Sequence, residues 1–229
     1  MPRVALGASA LLAVALAVAY LLDPLPEGLN ATFFADANWS GQIVRTMVDR
    51  QVSGDTPFVP WRGDPPDTFS ATWSGAFIAI QDGTYTFATA SDDGSWVYVD
   101  RELVVDNGGL HSTLLAKGSI RLKRGVHAIF IKFFQQGGPF DLQVMWARDG
   151  GELQPLPAWA LAPRFERYSR FLASVILRRA ARWAGGLAIA LSIAWLAVAG
   201  WRAAARYLAA PFTPSVEASL LAKIGRAHV

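Results

Sequence analysis

The spacing of apolar residues divides the chain into three stretches. Residues 4–22 are uncharged throughout. Nineteen such residues rise about 28 Å as a helix, one hydrocarbon thickness. From Gly28 to about Trp146 the period becomes two. Apolar, β-branched and aromatic residues alternate with polar ones in short runs bounded by glycine, proline and aspartate, the pattern of half-buried strands. The predicted strands are 30–34, 68–80 (interrupted at Gly75), 84–90, 96–99, 102–106, 118–122, 127–134 and 141–146. Asp82-Gly83 and Asp149-Gly150 are strong turn dipeptides. Residues 55–67 hold four prolines and read as a long irregular loop. Many short strands with such turns predict a mainly β fold, an antiparallel sandwich or barrel. Phe77, Tyr85, Phe87, Trp96, Tyr98, Phe130 and Trp146 are expected in its core and in cross-strand pairs.

The third stretch follows a linker over 148–163, marked by Pro155, Pro157 and Pro163. Residues 164–183 show helical periodicity. Phe165, Tyr168, Leu172, Val175, Ile176 and Trp183 fall mainly on one face, with Arg167, Arg170, Arg178 and Arg182 mostly opposite. A basic amphipathic helix of this kind suits a membrane surface; packing against protein is the alternative. Residues 184–201 are uncharged and bracketed by Trp183 and Trp201, which predicts a second membrane helix. Gly185, Gly186 and small residues along it would let another helix approach closely. The fold class is thus a β-sandwich or barrel flanked by two transmembrane α-helices and a basic amphipathic helix. The first span, within 1–23, is expected as an uncleaved anchor; a signal peptide cleaved after Ala17-Val18-Ala19 is its rival.

Charge orients this arrangement only partly. Arg3 precedes the first span and Asp23 and Glu27 follow it, which sends the β-module outward. The arginines of 164–182 then also lie outside, against the same rule. The formal charge of +3 gathers beside an apolar span. It therefore points to a lipid bilayer and not to nucleic acid. Arginine and alanine usage suggests a bacterial protein, and the chain has no cysteine. Over 202–229, the last residues, Ile224 to Val229, read like the translation of a sequencing adapter. The expectation is that they are not biological and that the natural chain continues.

The candidate chemistry lies on the loop between two predicted strands. Asp92 and Asp93 are adjacent carboxylates followed by Gly94. Two acids side by side repel unless a cation or donors compensate, and calcium favours such loop oxygens. As an acid/base pair they are poorly placed, because neighbours in sequence do not readily flank a scissile bond at about 5–9 Å. The sequence shows no nucleophile motif, no histidine-rich metal site and no phosphate-binding glycine loop, so no catalytic role is expected.

Several motifs, in order, carry a resemblance. These are Phe69-Ser70-Ala71-Thr72-Trp73-Ser74-Gly75, Asp82-Gly83-Thr84-Tyr85-Thr86-Phe87 and Ser91-Asp92-Asp93-Gly94-Ser95-Trp96-Val97-Tyr98-Val99-Asp100. Leu103-Val104-Val105-Asp106-Asn107 with His111, and Leu122-Lys123-Arg124-Gly125-Val126-His127, follow them. Together they resemble the protective-antigen (PA-14 type) module over roughly 28–147. The resemblance implies a β-sandwich or barrel that binds carbohydrate. In the adhesin branch it implies a cis peptide between Asp92 and Asp93, which hold calcium that also coordinates sugar hydroxyls. An amide side chain from a later loop completes that site. The implied sugar-binding residues are Asp92, Asp93 and Gln135. The metal-binding set is Asp92, Asp93 and Asn107, with His111 read as a hydrogen-bonding loop residue.

The sequence thus predicts a non-catalytic carbohydrate-binding module, supported by calcium and tethered outside a bacterial cell membrane, with a glycan or cell-surface polysaccharide as partner. One alternative is the amino-terminal part of a larger polytopic membrane enzyme, such as a glycosyltransferase. Another is a structural or protein-contact domain.

Overall fold

A computed structural model describes residues 25–209 and, apart from them, Val14. The first predicted span and the suspected adapter residues 224–229 lie outside the described residues. The chain divides into two units. One comprises Ala19–Arg178, and the described part of the other is Val14 and the helix from Arg179 onward.

The first unit is a sandwich of two antiparallel sheets. Its strands are β1 (Leu29–Phe34), β2 (Ile43–Asp49), β3 (Thr68–Ala79), β4 (Gly83–Asp92), β5 (Ser95–Val99) and β6 (Glu102–Asn107). They are followed by β7 (Leu114–Leu122), β8 (Gly125–Gln136), β9 (Asp141–Arg148), β10 (Gln154–Pro155) and β11 (Leu161–Ala162). A short helix, α1 (Phe58–Trp61), interrupts the proline-rich loop. One sheet runs β2-β1-β3-β8-β5-β6 with β11 beside β3, and the other runs β10-β9-β4-β7.

Alternation places one side of each strand in the core. Phe33, Phe69, Trp73, Phe77, Ile131 and Phe133 project from the first sheet, and Tyr85, Phe87, Leu142 and Val144 from the second. Phe77 meets Tyr85 and Phe87 edge-on, with centroids 5.6 and 5.2 Å apart. Trp73, fully buried, donates its indole N–H to Asp49 at 2.8 Å. The expected core aromatics divide. Trp146 is only partly buried, while Trp96, Tyr98 and Phe130 lie on the outer face of the first sheet. Tyr98 and Phe130 are direct cross-strand partners. Trp96 stacks on Phe134, and Lys132 sits 3.6 Å from the Trp39 ring centroid.

Two expectations about the chain beyond Trp146 need correction. The stretch 148–163 is not an open linker. β10 extends the second sheet and β11 buries Leu161 and Ala162 against β3. An edge strand tolerates Pro155 because its N–H would face solvent. The amphipathic helix and the second span are one helix, α2 (Tyr168–Ala209), continuous through Gly185 and Gly186. Two glycines weaken a helix by only about 1 kcal/mol each. The helix meets the β unit mainly through other residues than the expected apolar face. Phe165, Leu172 and Ile176 are exposed, whereas Phe171 and Ser174 are buried, Phe171 packing on Ala76, Ile78 and Ala162.

Arg178 completes that contact. Its guanidinium donates to the Leu25 carbonyl at 2.8 Å and pairs with Glu27 at 2.9 Å; both side chains of the pair are nearly enclosed. Glu27 also pairs with Arg50. The places where the chain enters and leaves this unit are therefore fastened together. Breaking an enclosed pair strands a charge. Arg178→Ala is expected to cost about 3 kcal/mol, the low end because Arg50 remains beside Glu27. Urea unfolding of the full chain measures it, and an unchanged midpoint would show the clamp to be idle.

Candidate functional site

The predicted acidic loop joins β4 to β5 at one end of the sandwich. The Asp92–Asp93 peptide is cis. The loop stands on a buried polar network. The Ser95 hydroxyl bonds Ser91 at 2.7 Å and Thr89 at 2.8 Å. Asn107 donates its side-chain N–H groups to Ser91 at 3.0 Å and to the Leu114 carbonyl at 2.8 Å. Short hydroxyl side chains fit here because each can donate and accept between strands without a long arm. Gly94 fits the remaining gap: a Cβ there would lie 2.3 Å from the Phe134 ring and 3.1 Å from the Gly109 backbone.

The two aspartates have different surroundings. Asp93 is buried, and its oxygens accept backbone N–H groups from His111 at 3.0 Å and Gln136 at 2.9 Å. Asp92 is half-buried and accepts no hydrogen bond among the described residues. It lies directly across from Asp141 in the β4–β9 register. Partial burial, then the charge of Asp93, and more weakly that of Asp141, push the Asp92 carboxyl above its ordinary range; His111 opposes this. Asp92 thus combines unused lone pairs with surroundings that His111 only partly offsets.

The implied ligands do not all serve alike. Gln135 is fully buried. Its carbonyl oxygen accepts the Asp93 N–H at 3.1 Å, and its amide donates to the Gly137, Gly138 and Pro139 carbonyls. It cannot touch a sugar. It positions the acidic loop against the turn after β8, so its expected binding role becomes a supporting one. Asn107 behaves otherwise: its Oδ1 is buried and has no hydrogen-bond partner among the described residues. An orphaned buried carbonyl oxygen is a donor that hard cations take. Asp92, Asp93 and Asn107 are thus of the oxygen-donor type that calcium prefers. Among the described residues no group of three or more His, Cys, Asp or Glu converges as a ready-made metal site. The remaining coordination would fall to backbone or ligand oxygens. His111 has ring nitrogens 3.0 Å from the Ser112 carbonyl and 3.1 Å from that of Asn107, which fixes its loop.

Beside the loop lies a groove of about 380 Å³, lined among others by Asp55, Phe58, Asp64, Asp67, Phe140 and Asp141. Phe58 and Phe140 approach at 5.6 Å. Asp141 belongs both to this groove and to the surroundings of Asp92. Sequence reading did not single it out, because its partnership depends on strand register. Pro139-Phe140 just before it was the available signal.

A family model described as "PA14 domain" matches residues 25–158. The anti-sigma-I factor RsgI3 of Acetivibrio thermocellus is 29% identical over 98 residues, 42% of this chain and 15% of that protein. The chain thus spans under a sixth of this curated relative. Among solved structures, an anti-sigma factor domain-containing protein superposes with a TM-score of 0.55 at 23% identity, covering 60% of this chain and 48% of the other. A PA14 sugar-binding domain from an RTX adhesin gives 0.51 at 17% identity, covering 60% and 99%.

Proposed function

The chain belongs to the PA14 domain family, and from that premise we propose a non-catalytic carbohydrate-binding module, tethered to a membrane by α2, whose site is the Asp92–Asp93 loop. Asp92 is the observation that carries this reading: an accessible carboxylate, unbonded among the described residues and surrounded by like charge. Calcium held by Asp92, Asp93 and Asn107 supplies the missing positive charge and a coordination shell that vicinal sugar hydroxyls can complete. The adjoining groove gives the bound sugar aromatic surface from Phe58 and Phe140. Its four aspartates favour neutral glycans over anionic ones.

Tethering rests on α2. Among the described residues one helix is long and apolar enough to cross a membrane. Leu187, Ile189, Ile193, Trp195 and Leu196 on it are exposed. The module lies on the extracytoplasmic side in this reading, and the arginines before the span fit it better than their number suggests. Arg178 is tied to Glu27 and Arg170 pairs with Glu166 at 3.2 Å. The anti-sigma factors among the relatives favour a further role for the tethered module as the sensing part of a signalling protein.

The test is a glycan array probed with the full chain in lipid nanodiscs, with calcium or with EDTA. A set of neutral glycans bound in calcium and released by EDTA is the expected result. Calcium-dependent binding confined to anionic glycans, or no glycan whose binding needs calcium, would overturn the reading.

A further inference from the structure

A second cleft lies at the other end of the sandwich. Its volume is about 300 Å³, and Ile80, Trp146, Arg148, Glu152, Gln154 and Trp159 are among its lining residues. Asp141 faces Asp92 in the β4–β9 ladder, whereas Arg148 faces Tyr85, seven positions along. At 3.3 Å per residue the two sites are roughly 23 Å apart. The cleft therefore shares no residue with the Asp92 loop or its groove.

The strands assemble it from separate parts. Trp146 and Arg148 are two positions apart on β9 and so project from one face. Gln154 on β10 pairs directly with Trp146. The Trp159 ring stands almost perpendicular to Trp146, at 78° and 6.5 Å between centroids. Both indoles are only half-buried. One face of Trp146 is taken by Tyr85, stacked at 5.9 Å and 17°. Arg148 is held through its Nε by Asp149 at 3.3 Å. The side chains of Glu152 and Gln154 make no hydrogen bond among the described residues.

We infer that this cleft is a second carbohydrate subsite, for a pyranose unit of a neutral glycan, working without calcium. The warrant is the chemistry of the lining. Indole surface suits the C–H face of a sugar ring while excluding water. Arg148 offers donors, Glu152 acceptors and Gln154 both, which matches hydroxyls that donate and accept at once. The volume suits one ring. A nucleotide or phosphate would find one arginine beside Asp149 and Glu152, and a purely apolar ligand would leave Glu152 and Gln154 without water or partner.

The experiment uses the full chain in phosphatidylcholine nanodiscs, in EDTA, with Asp92→Asn to silence the first site. The probes are cellohexaose, chitohexaose and mannohexaose, titrated by calorimetry. Binding of at least one is expected to survive EDTA and Asp92→Asn. Adding Glu152→Ala with Gln154→Ala should weaken it about tenfold or more. Both positions are on the rim, so folding is not at risk; Trp159→Phe, which keeps an aromatic ring against the core, should weaken it less. Absence of EDTA-resistant binding would overturn the inference, as would binding indifferent to the double change. EDTA-resistant binding with no additional calcium-dependent binding in the parent chain would overturn the Asp92 reading and leave this one standing.

Discussion

Asp92→Asn will abolish calcium-supported sugar binding and will raise the melting temperature of the calcium-free protein. The two effects share a cause. In the folded protein the Asp92 carboxyl is held above its ordinary range by burial and by Asp93. The folded state therefore binds a proton more readily than the unfolded chain. Its contribution to stability is fully present below the unfolded pKa and is lost as pH rises through the folded one. At neutral pH the calcium-free loop carries that penalty, which asparagine removes. Calcium reverses the balance by binding the ionised form. At a hundredfold excess over its Kd it should stabilise the native protein by about 2.7 kcal/mol. Asp92→Asn should erase most of that gain. Acidification through the raised carboxyl range should erase it too, because protons and calcium compete. Thermal melts with calcium and with EDTA, at neutral and acidic pH, measure all of this. A calcium shift that is the same in both proteins would remove Asp92 from the site.

Gly118→Ala will disrupt the sandwich itself. Gly118 lies on β7 and faces the Val104 carbonyl of β6, where the edges of the two sheets meet. A Cβ at this position would stand 1.7 Å from that oxygen and 2.8 Å from its carbon. Both atoms belong to backbone, so no rotamer change relieves the clash. Overpacking of this kind costs about 3 kcal/mol or more, enough to remove much of the stability of a marginal domain. A melting temperature within about 2 °C of the parent would mean that the sheet edges part easily.

The acidic loop could be read from the sequence because everything that defines it is local: two strand patterns, two aspartates and a glycine. Most of the sandwich could be read for the same reason. β2 could not, because it is an edge strand with Ile43 to Thr46 all exposed, and without a buried face there is no alternation. Gly75 looked like an interruption, yet β3 passes through it; a Cβ there would stand 2.2 Å from the Ala162 carbonyl. The glycine admits β11, which no local pattern announces. Gln135 was placed near the site correctly but given the wrong task. Its spacing says where it is, while the bonds to Asp93 and residues 137–139 decide what its oxygen is free to do. Asp141 and the Trp146–Trp159 cleft need register and tertiary contact. In α2 the apolar stripe was real, but the partner lay on another side, reached by Phe171, Ser174 and Arg178.

The fastening of Arg178 to Leu25 and Glu27 also has a mechanical meaning. A pull applied through the two ends of the β unit loads that ion pair and that hydrogen bond first, while the strand ladders carry almost nothing. Traction on a polymer bound as proposed would be different. It would enter at the Asp92 loop, where β4 ends, and so would load the β4 ladders with β7 and β9 lengthwise, in shear.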